Sequence, residues 1–178
     1  APRVEVTKGP VERGDRHARR IAVAGRMAAA RFHTSEHMIF DQHVICLAGD
    51  GCLQEGVSAE ASAFAGHFSL DNLILIYDSN AVTLDAMANV TQSEDTAKRF
   101  EAYGFDVQRI DGHDMTQFLD AIKVAKKRNN GKPQMIVAQT IIGKGLPEGQ
   151  GANKATGHAG VKKRRPAARG HGIHAGHS

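Results

Sequence analysis

The stretch Val44-Ile45-Cys46-Leu47-Ala48-Gly49-Asp50-Gly51 decides the fold. Its apolar run is too short for a helix and shows no polar alternation, so it reads as a strand buried on both faces, the pattern of a parallel sheet. A glycine-flanked acid then ends it in a turn. The pattern returns 30 positions later, where Leu73-Ile74-Leu75-Ile76-Tyr77 runs into Asp78-Ser79-Asn80. Two such strands carry a carboxylate, Asp50, and a side-chain amide, Asn80, to one edge of a sheet. In open α/β sheets ligands bind beyond the carboxyl ends of the strands, at a switch in strand order, and the pattern places both residues there. Hard oxygen ligands suit Mg2+ or Ca2+, and Mg2+ uses few protein ligands when it also holds phosphates. Gly49 and Gly51 let the backbone come close to a phosphate. Gly-Asp-Gly alone is a common turn; the second strand ending in Asn80 is what gives it weight as the half-site of a diphosphate cofactor.

Outward from these strands, helical and extended patterns alternate. Ile21, Ala24, Met27, Ala28 and Phe32 have helical spacing and predict a helix over 16–32. A helix rich in small residues is predicted over 55–67, and 79–93 reads as a long polar loop. Ser93-Glu94-Asp95-Thr96 reads as the capped start of a helix that Gly104 ends. A strand at 105–110, a turn at Asp111-Gly112-His113-Asp114, an amphipathic helix from Met115 to Arg128 and a strand at 135–140 follow. A glycine-flanked loop, Ile141 to Gly145, comes next. The expected fold class is therefore α/β, a parallel sheet with helices on both faces. Past Gly149 the chain turns to Gly, Lys, His and Ala without periodicity, and residues 159–178 read as a basic, disordered tail.

Composition narrows the function classes. A chain of 178 residues suits one domain. The net charge of +4 comes from the ends, since residues 32–160 hold 10 Lys/Arg against 16 Asp/Glu. A nucleic-acid binder carries its basic surface on the folded part, so no nucleic-acid partner is expected, and Lys162-Lys163-Arg164-Arg165 reads as a solvated tail. His171, His174 and His177 belong to the same tail. No apolar run approaches a membrane span, and the charged, Pro- and Gly-broken N-terminus does not read as a signal peptide. Cys46 and Cys52 read as reduced core residues of a cytosolic protein.

Several blocks together resemble transketolase: Gly49-Asp50-Gly51-Cys52-Leu53-Gln54-Glu55-Gly56, Tyr77-Asp78-Ser79-Asn80, Glu94-Asp95-Thr96, Arg99-Phe100-Glu101-Ala102-Tyr103-Gly104-Phe105, Ile110-Asp111-Gly112-His113-Asp114 and Thr140-Ile141-Ile142-Gly143-Lys144-Gly145. Gly-Asp-Gly followed by Asn80 also matches the general thiamine diphosphate signature. The α subunits of 2-oxo acid dehydrogenases share that signature but lack the combined Cys-Leu-Gln-Glu-Gly and Arg-Phe-Glu-Ala-Tyr-Gly-Phe blocks. The likeness runs through about 26–158, which is identified as part of a thiamine diphosphate-binding domain, with 1–25 a divergent flank.

The resemblance implies roles residue by residue. Asp50 and Asn80 correspond to side-chain Mg2+ ligands (Ca2+ can substitute), and Val82 to a backbone carbonyl ligand. Gly49 and Gly51 fall at the diphosphate, and Leu84 and Ile142 along the cofactor's rings. His158 corresponds to a histidine at the diphosphate and reacting centre, although Ala159 stands where the family has Gly. Glu55 matches an acid near the dimer interface; as a sequence feature it reads equally as a helix N-terminal acid. The implied activity is transfer of a two-carbon ketol unit between sugar phosphates, in the pentose phosphate pathway, by a cytoplasmic homodimer. The glutamate that activates the cofactor's aminopyrimidine belongs to a further domain with no counterpart in this sequence, so the chain alone is expected to be inactive. The alternative is a non-catalytic fragment or degenerate copy that self-associates.

Overall fold

In a chain with Leu73, Ile74, Leu75, Ile76 and Tyr77 in succession, every second side chain faces the opposite side of the strand, so both sides must be covered. The structure, a computed structural model that describes residues 11–146 and 149–156, covers them. All five residues are buried. They form β2 (Leu73–Ser79), flanked by β1 (Val44–Gly49) and β4 (Gln134–Gln139), with β3 (Asp106–Asp111) outside β4. The order is β1-β2-β4-β3, and every pair is parallel. The sheet is the expected parallel α/β sheet. Its register sets Gly49 opposite Asp78, and Asp78 opposite Ala138. Three strands therefore end level with one another.

Two apolar layers enclose the sheet. On one face α1 (Val11–Phe32), α3 (Gly56–His67) and α4 (Thr96–Ala102) cover Cys46, Ala48, Leu73, Leu75, Tyr77, Met135 and Val137. On the other, α5 (Met115–Lys127) lays Ala121 and Ala125 against Ile74 and Ile136. Burying each of the larger side chains is worth about 1.5–3 kcal/mol, against roughly 0–1 for a surface ion pair, so these layers rather than the surface ion pairs hold the fold. Cover is uneven. Alternating β1 residues Ile45 and Leu47 remain 52% and 69% exposed, because α5 lies over β3 and β4. Among the described residues no helix is long and apolar enough to cross a membrane.

The elements match the sequence reading with several differences. β1 is covered on one face only, where the sequence predicts burial on both, and a single helical turn stands at Asp50–Leu53, where it predicts a plain turn. The first helix begins at Val11 rather than 16, and Ala18 and Ala22 within it join the core; the charged residues before Ile21 hide that start. The predicted loop 79–93 contains a bridge between Val82 and Met87 and a single 3-10 turn at Ala88–Val90. The cap of α4 is Asp95, whose carboxylate accepts from the Lys98 amide at 3.1 Å, rather than Ser93. The small residues of α3 serve close packing as expected. A methyl group on Gly66 would lie 1.6 Å from the Tyr103 carbonyl oxygen, where α4 ends and Gly104 turns the chain at φ +96°.

Two expectations follow. Gly66→Ala forces two backbone segments apart, and overpacking of this kind costs about 1–3 kcal/mol; thermal unfolding shows it, and an unchanged Tm contradicts the contact. Hydrogen bonds from the Gln117 backbone and side chain, with that of Thr116, hold the Asp114 carboxyl below its ordinary range, and the Lys98 amide does the same for Asp95. A carboxyl depressed in the folded state stabilises the fold above its unfolded pKa, and that stability is lost as pH falls through the folded value. Stability therefore declines below about pH 4. Asp114→Asn, which keeps a capping acceptor but cannot ionise, makes that decline shallower; an unaltered acid slope counts against the cap.

Candidate functional site

β1 runs straight into a one-turn helix, α2 (Asp50–Leu53), so the acid after Gly49 is fixed by backbone on both sides. The sequence reads as a turn here because the same residues open both turns and helices. The Gly49 amide donates to Cys52 Sγ at 3.0 Å, and both cysteines are buried and free of a disulfide. Asp50 is only 4% exposed. Its Oδ1 accepts from the Tyr77 hydroxyl at 2.7 Å, and its Oδ2 from the backbone amides of Asn80 at 3.0 Å and Ala81 at 3.1 Å. Burial first, then the bond to Asp50 and its negative charge, push the Tyr77 phenol up to about 12. Among the described residues no Lys, Arg or His forms an ion pair with Asp50. A buried carboxylate without a counter-charge is costly, and this one lies at the sheet edge where the sequence placed a cation.

Asn80 follows the end of β2. Its Nδ2 donates to Asp78 Oδ2 at 3.1 Å, and its Oδ1 accepts from the Val82 amide at 3.0 Å. The Thr140 hydroxyl, from just past β4, donates to Asp78 Oδ1. Ala81 between them sits at φ +61°, turning the chain into the Val82–Met87 bridge. That bridge is flanked by the bonds Ala88 N to Ala81 O and Thr83 N to Ala86 O, both 2.8 Å. Val82 is thus in a non-hydrogen-bonded pair, and its amide and carbonyl both point away from Met87, toward the side where Asn80 Oδ1 lies.

The remaining predicted residues surround this edge. A methyl group on Gly49 or Gly51 would meet nothing within 4 Å, so the space beside both is open. Leu84, 75% exposed, is at the tip of the hairpin, and Ile142 is half-buried in the loop after β4. The two loops are tied: Ile142 O accepts from Gly151 N at 2.8 Å, and Asn153 Nδ2 donates to Asp85 O at 2.6 Å. His113, expected as a turn residue, accepts from the Ile141 amide through Nε2 at 2.9 Å and so fastens this loop to the end of β3. Glu55 is the exposed N-cap residue of α3, with no side-chain capping bond. His158 lies outside the described residues. Tyr77, Asp78 and Thr140 escaped the sequence reading. Tyr77 had one signal, since a tyrosine within a fully buried strand needs a partner for its hydroxyl.

The arrangement offers a carboxylate, an amide oxygen and a backbone carbonyl from one strand-end cluster. Among the described residues no group of three or more His, Cys, Asp or Glu could hold a metal ion. The donors therefore form an open set of hard oxygens, one that suits a cation completing its shell from a phosphate ligand and water.

A family model described as the transketolase thiamine diphosphate binding domain matches residues 1–169. The chain belongs to the transketolase family. Its relatives include the transketolase of Physarum polycephalum, 56% identical over 97% of this chain and 26% of that protein, and that of Dictyostelium discoideum, 55% identical over 90% and 24%. Among solved structures, Campylobacter jejuni transketolase superposes with a TM-score of 0.78 at 41% identity, over 85% of this chain and 23% of that one. Leishmania mexicana transketolase gives 0.81 at 38%, over 87% and 23%. The chain spans about a quarter of the length of these transketolases. The matched region takes in α1 and the first 25 residues, and extends to residue 169.

Removing the Tyr77 hydroxyl leaves Asp50 Oδ1 without its buried donor. A hydrogen bond to a charged group contributes about 1.5–3 kcal/mol, and Tyr77→Phe is expected to lower the free energy of unfolding in urea by about that amount. An unchanged unfolding midpoint contradicts the bond.

Proposed function

We propose that this chain is the metal- and diphosphate-binding part of a thiamine diphosphate-dependent transketolase, with Mg2+ held by Asp50 Oδ1, Asn80 Oδ1 and the Val82 carbonyl. The observation that carries the reading is Asp50, a buried carboxylate with no cationic partner, fixed beside an amide oxygen on the neighbouring strand end. Hydrogen bonds from Tyr77, Asn80 and Ala81 leave Asp50 Oδ1 with one further lone pair, the number a metal bond needs. Open space beside Gly49 and Gly51 leaves room for the diphosphate to approach the backbone. Ca2+ meets the same oxygen donors.

Thiamine diphosphate, when bound, supplies the stabilisation of a carbanion that ketol transfer requires. The part played by this chain is binding and orientation. Asp50 and Asn80 fix the metal and through it the diphosphate. Leu84 and Ile142 line the ring system on loops tied together through Asn153 and Gly151. The role assigned to His158, at the diphosphate and the reacting centre, comes from the family resemblance alone. Glu55, exposed at the start of α3, faces a second subunit of a cytoplasmic homodimer. The substrates are sugar phosphates, met in the whole enzyme. The group that activates the aminopyrimidine has no counterpart in residues 1–178, so the isolated chain is inactive in ketol transfer and binds cofactor weakly.

Isothermal titration of the chain with thiamine diphosphate tests this. Heat of binding is expected only with Mg2+ or Ca2+ present, and Asp50→Ala and Asn80→Ala are each expected to weaken it at least ~10-fold, about 1.4 kcal/mol. Binding by Asp50→Ala as tight as by the wild type overturns the metal assignment. Ketol transfer by the chain alone overturns the claim that its machinery is incomplete and leaves the metal assignment standing.

A further inference from the structure

An asparagine side chain can serve a cation only with its oxygen forward; turned over, it presents an N–H2 group that repels one. The two ends have the same shape, so something must decide which faces the site. At Asn80 the decision is made by two partners of opposite kind. Asp78 Oδ2 can only accept, and it holds Nδ2 at 3.1 Å. The Val82 amide can only donate, and it holds Oδ1 at 3.0 Å. With Nδ2 engaged by a carboxylate, Oδ1 keeps one lone pair for Val82 and one free.

We propose that Asp78 is a positioning residue for Asn80, with Thr140 as its anchor, and that this pair sets the amide of Asn80 oxygen-forward before any cation arrives. The inference rests on the Mg2+ reading given above and adds the device that prepares one of its ligands. Asp78 is suited to it by register. It stands opposite Gly49 on one side and Ala138 on the other, in the middle of the three level strand ends. Its second oxygen is taken by the Thr140 hydroxyl, and the Thr140 amide donates to Ser79 O at 3.1 Å. The carboxylate is thus held from β4 while it holds Asn80 from β2. Among the described residues it forms no ion pair, and both its oxygens are occupied by neutral donors. Charge-assisted bonds of this kind are stronger than neutral ones, so a flipped amide, which would set Oδ1 against Asp78 and Nδ2 against the Val82 N–H, is disfavoured at both ends.

The role separates from a purely structural one, and from direct ligation, by its response to two substitutions. Asp78→Ala removes the acceptor. Asp78→Asn keeps it, because the new amide can accept from Asn80 and donate to the Thr140 hydroxyl. In the wild-type chain without metal, NMR is expected to show slow solvent exchange of the Asn80 side-chain NH2. That protection is expected to fall at least tenfold in Asp78→Ala and to survive in Asp78→Asn. Mn2+ titration by water-proton relaxation, with thiamine diphosphate present, is expected to show at least tenfold weaker binding in Asp78→Ala, and a change within threefold in Asp78→Asn. Adding Asn80→Ala to Asp78→Ala is expected to cost little more, since coupled residues do not add. Thr140→Val, which leaves Asp78 in place but unanchored, is expected to fall between and serves if Asp78→Ala fails to fold. An Asn80 amide that exchanges as freely in the wild type as in Asp78→Ala overturns the assignment of Asp78 alone. Equal damage from Asp78→Asn and Asp78→Ala overturns it in favour of direct ligation by the carboxylate. Absence of Mn2+ uptake by the wild-type chain overturns the metal reading and this inference with it.

Discussion

A carboxylate almost wholly withdrawn from water, with one oxygen bonded to a phenol and the other to two consecutive backbone amides, joins the ends of the first two strands. Without those bonds, Asp50 would be a buried charge costing several kcal/mol, and the chain after β2 would have no reason to turn where it does. The Asn80 and Ala81 amides converge on Oδ2, Ala81 takes up positive φ, and the hairpin with Leu84 at its tip follows from that turn. The geometry of the edge is thus set by one side chain. The donors around the carboxylate are all neutral, and no described residue pairs it with a positive charge.

The layers of the fold serve this edge. Because the sheet is parallel, its strands all finish on the same side, and each of the loops that leave β2, β3 and β4 can be tied to another. Thr140 reaches Asp78, His113 holds Ile141, and Asn153 holds Asp85. These are polar links on exposed or half-buried loops, weak singly, and they rest on strand ends set level by the sheet's register. Gly66 and Gly104 serve the same end at a distance, allowing α3 and α4 to lie closely over the sheet.

Much of this was legible in the sequence, for identifiable reasons. Strands of a parallel sheet are short apolar runs, and Val44–Leu47 and Leu73–Tyr77 are unmistakable as such, although only the second is buried on both faces. Asp50 and Asn80 are visible because each stands in the turn three residues past the end of such a run. What the sequence hid was partnership. Tyr77 looks like one more apolar strand residue, Asp78 like a turn acid and Thr140 like the end of a strand, because hydrogen bonds between strand ends leave no periodic trace. The start of α1 was hidden by charge, and the cap of α4 by the presence of two candidate caps, Ser93 and Asp95, two positions apart. The order of the strands, which places β4 between β2 and β3, has no signature in the sequence either, and it is this order that brings Thr140 to Asp78.

Chemical-shift mapping tests the central claim most directly. With 15N-labelled chain titrated with thiamine diphosphate and Mg2+ together, the account predicts amide shifts concentrated at Gly49–Gly51, Asn80–Leu84 and Ile141–Gly143, and none on adding either component to Asp50→Ala. Shifts centred elsewhere, or identical shifts in Asp50→Ala, would contradict it.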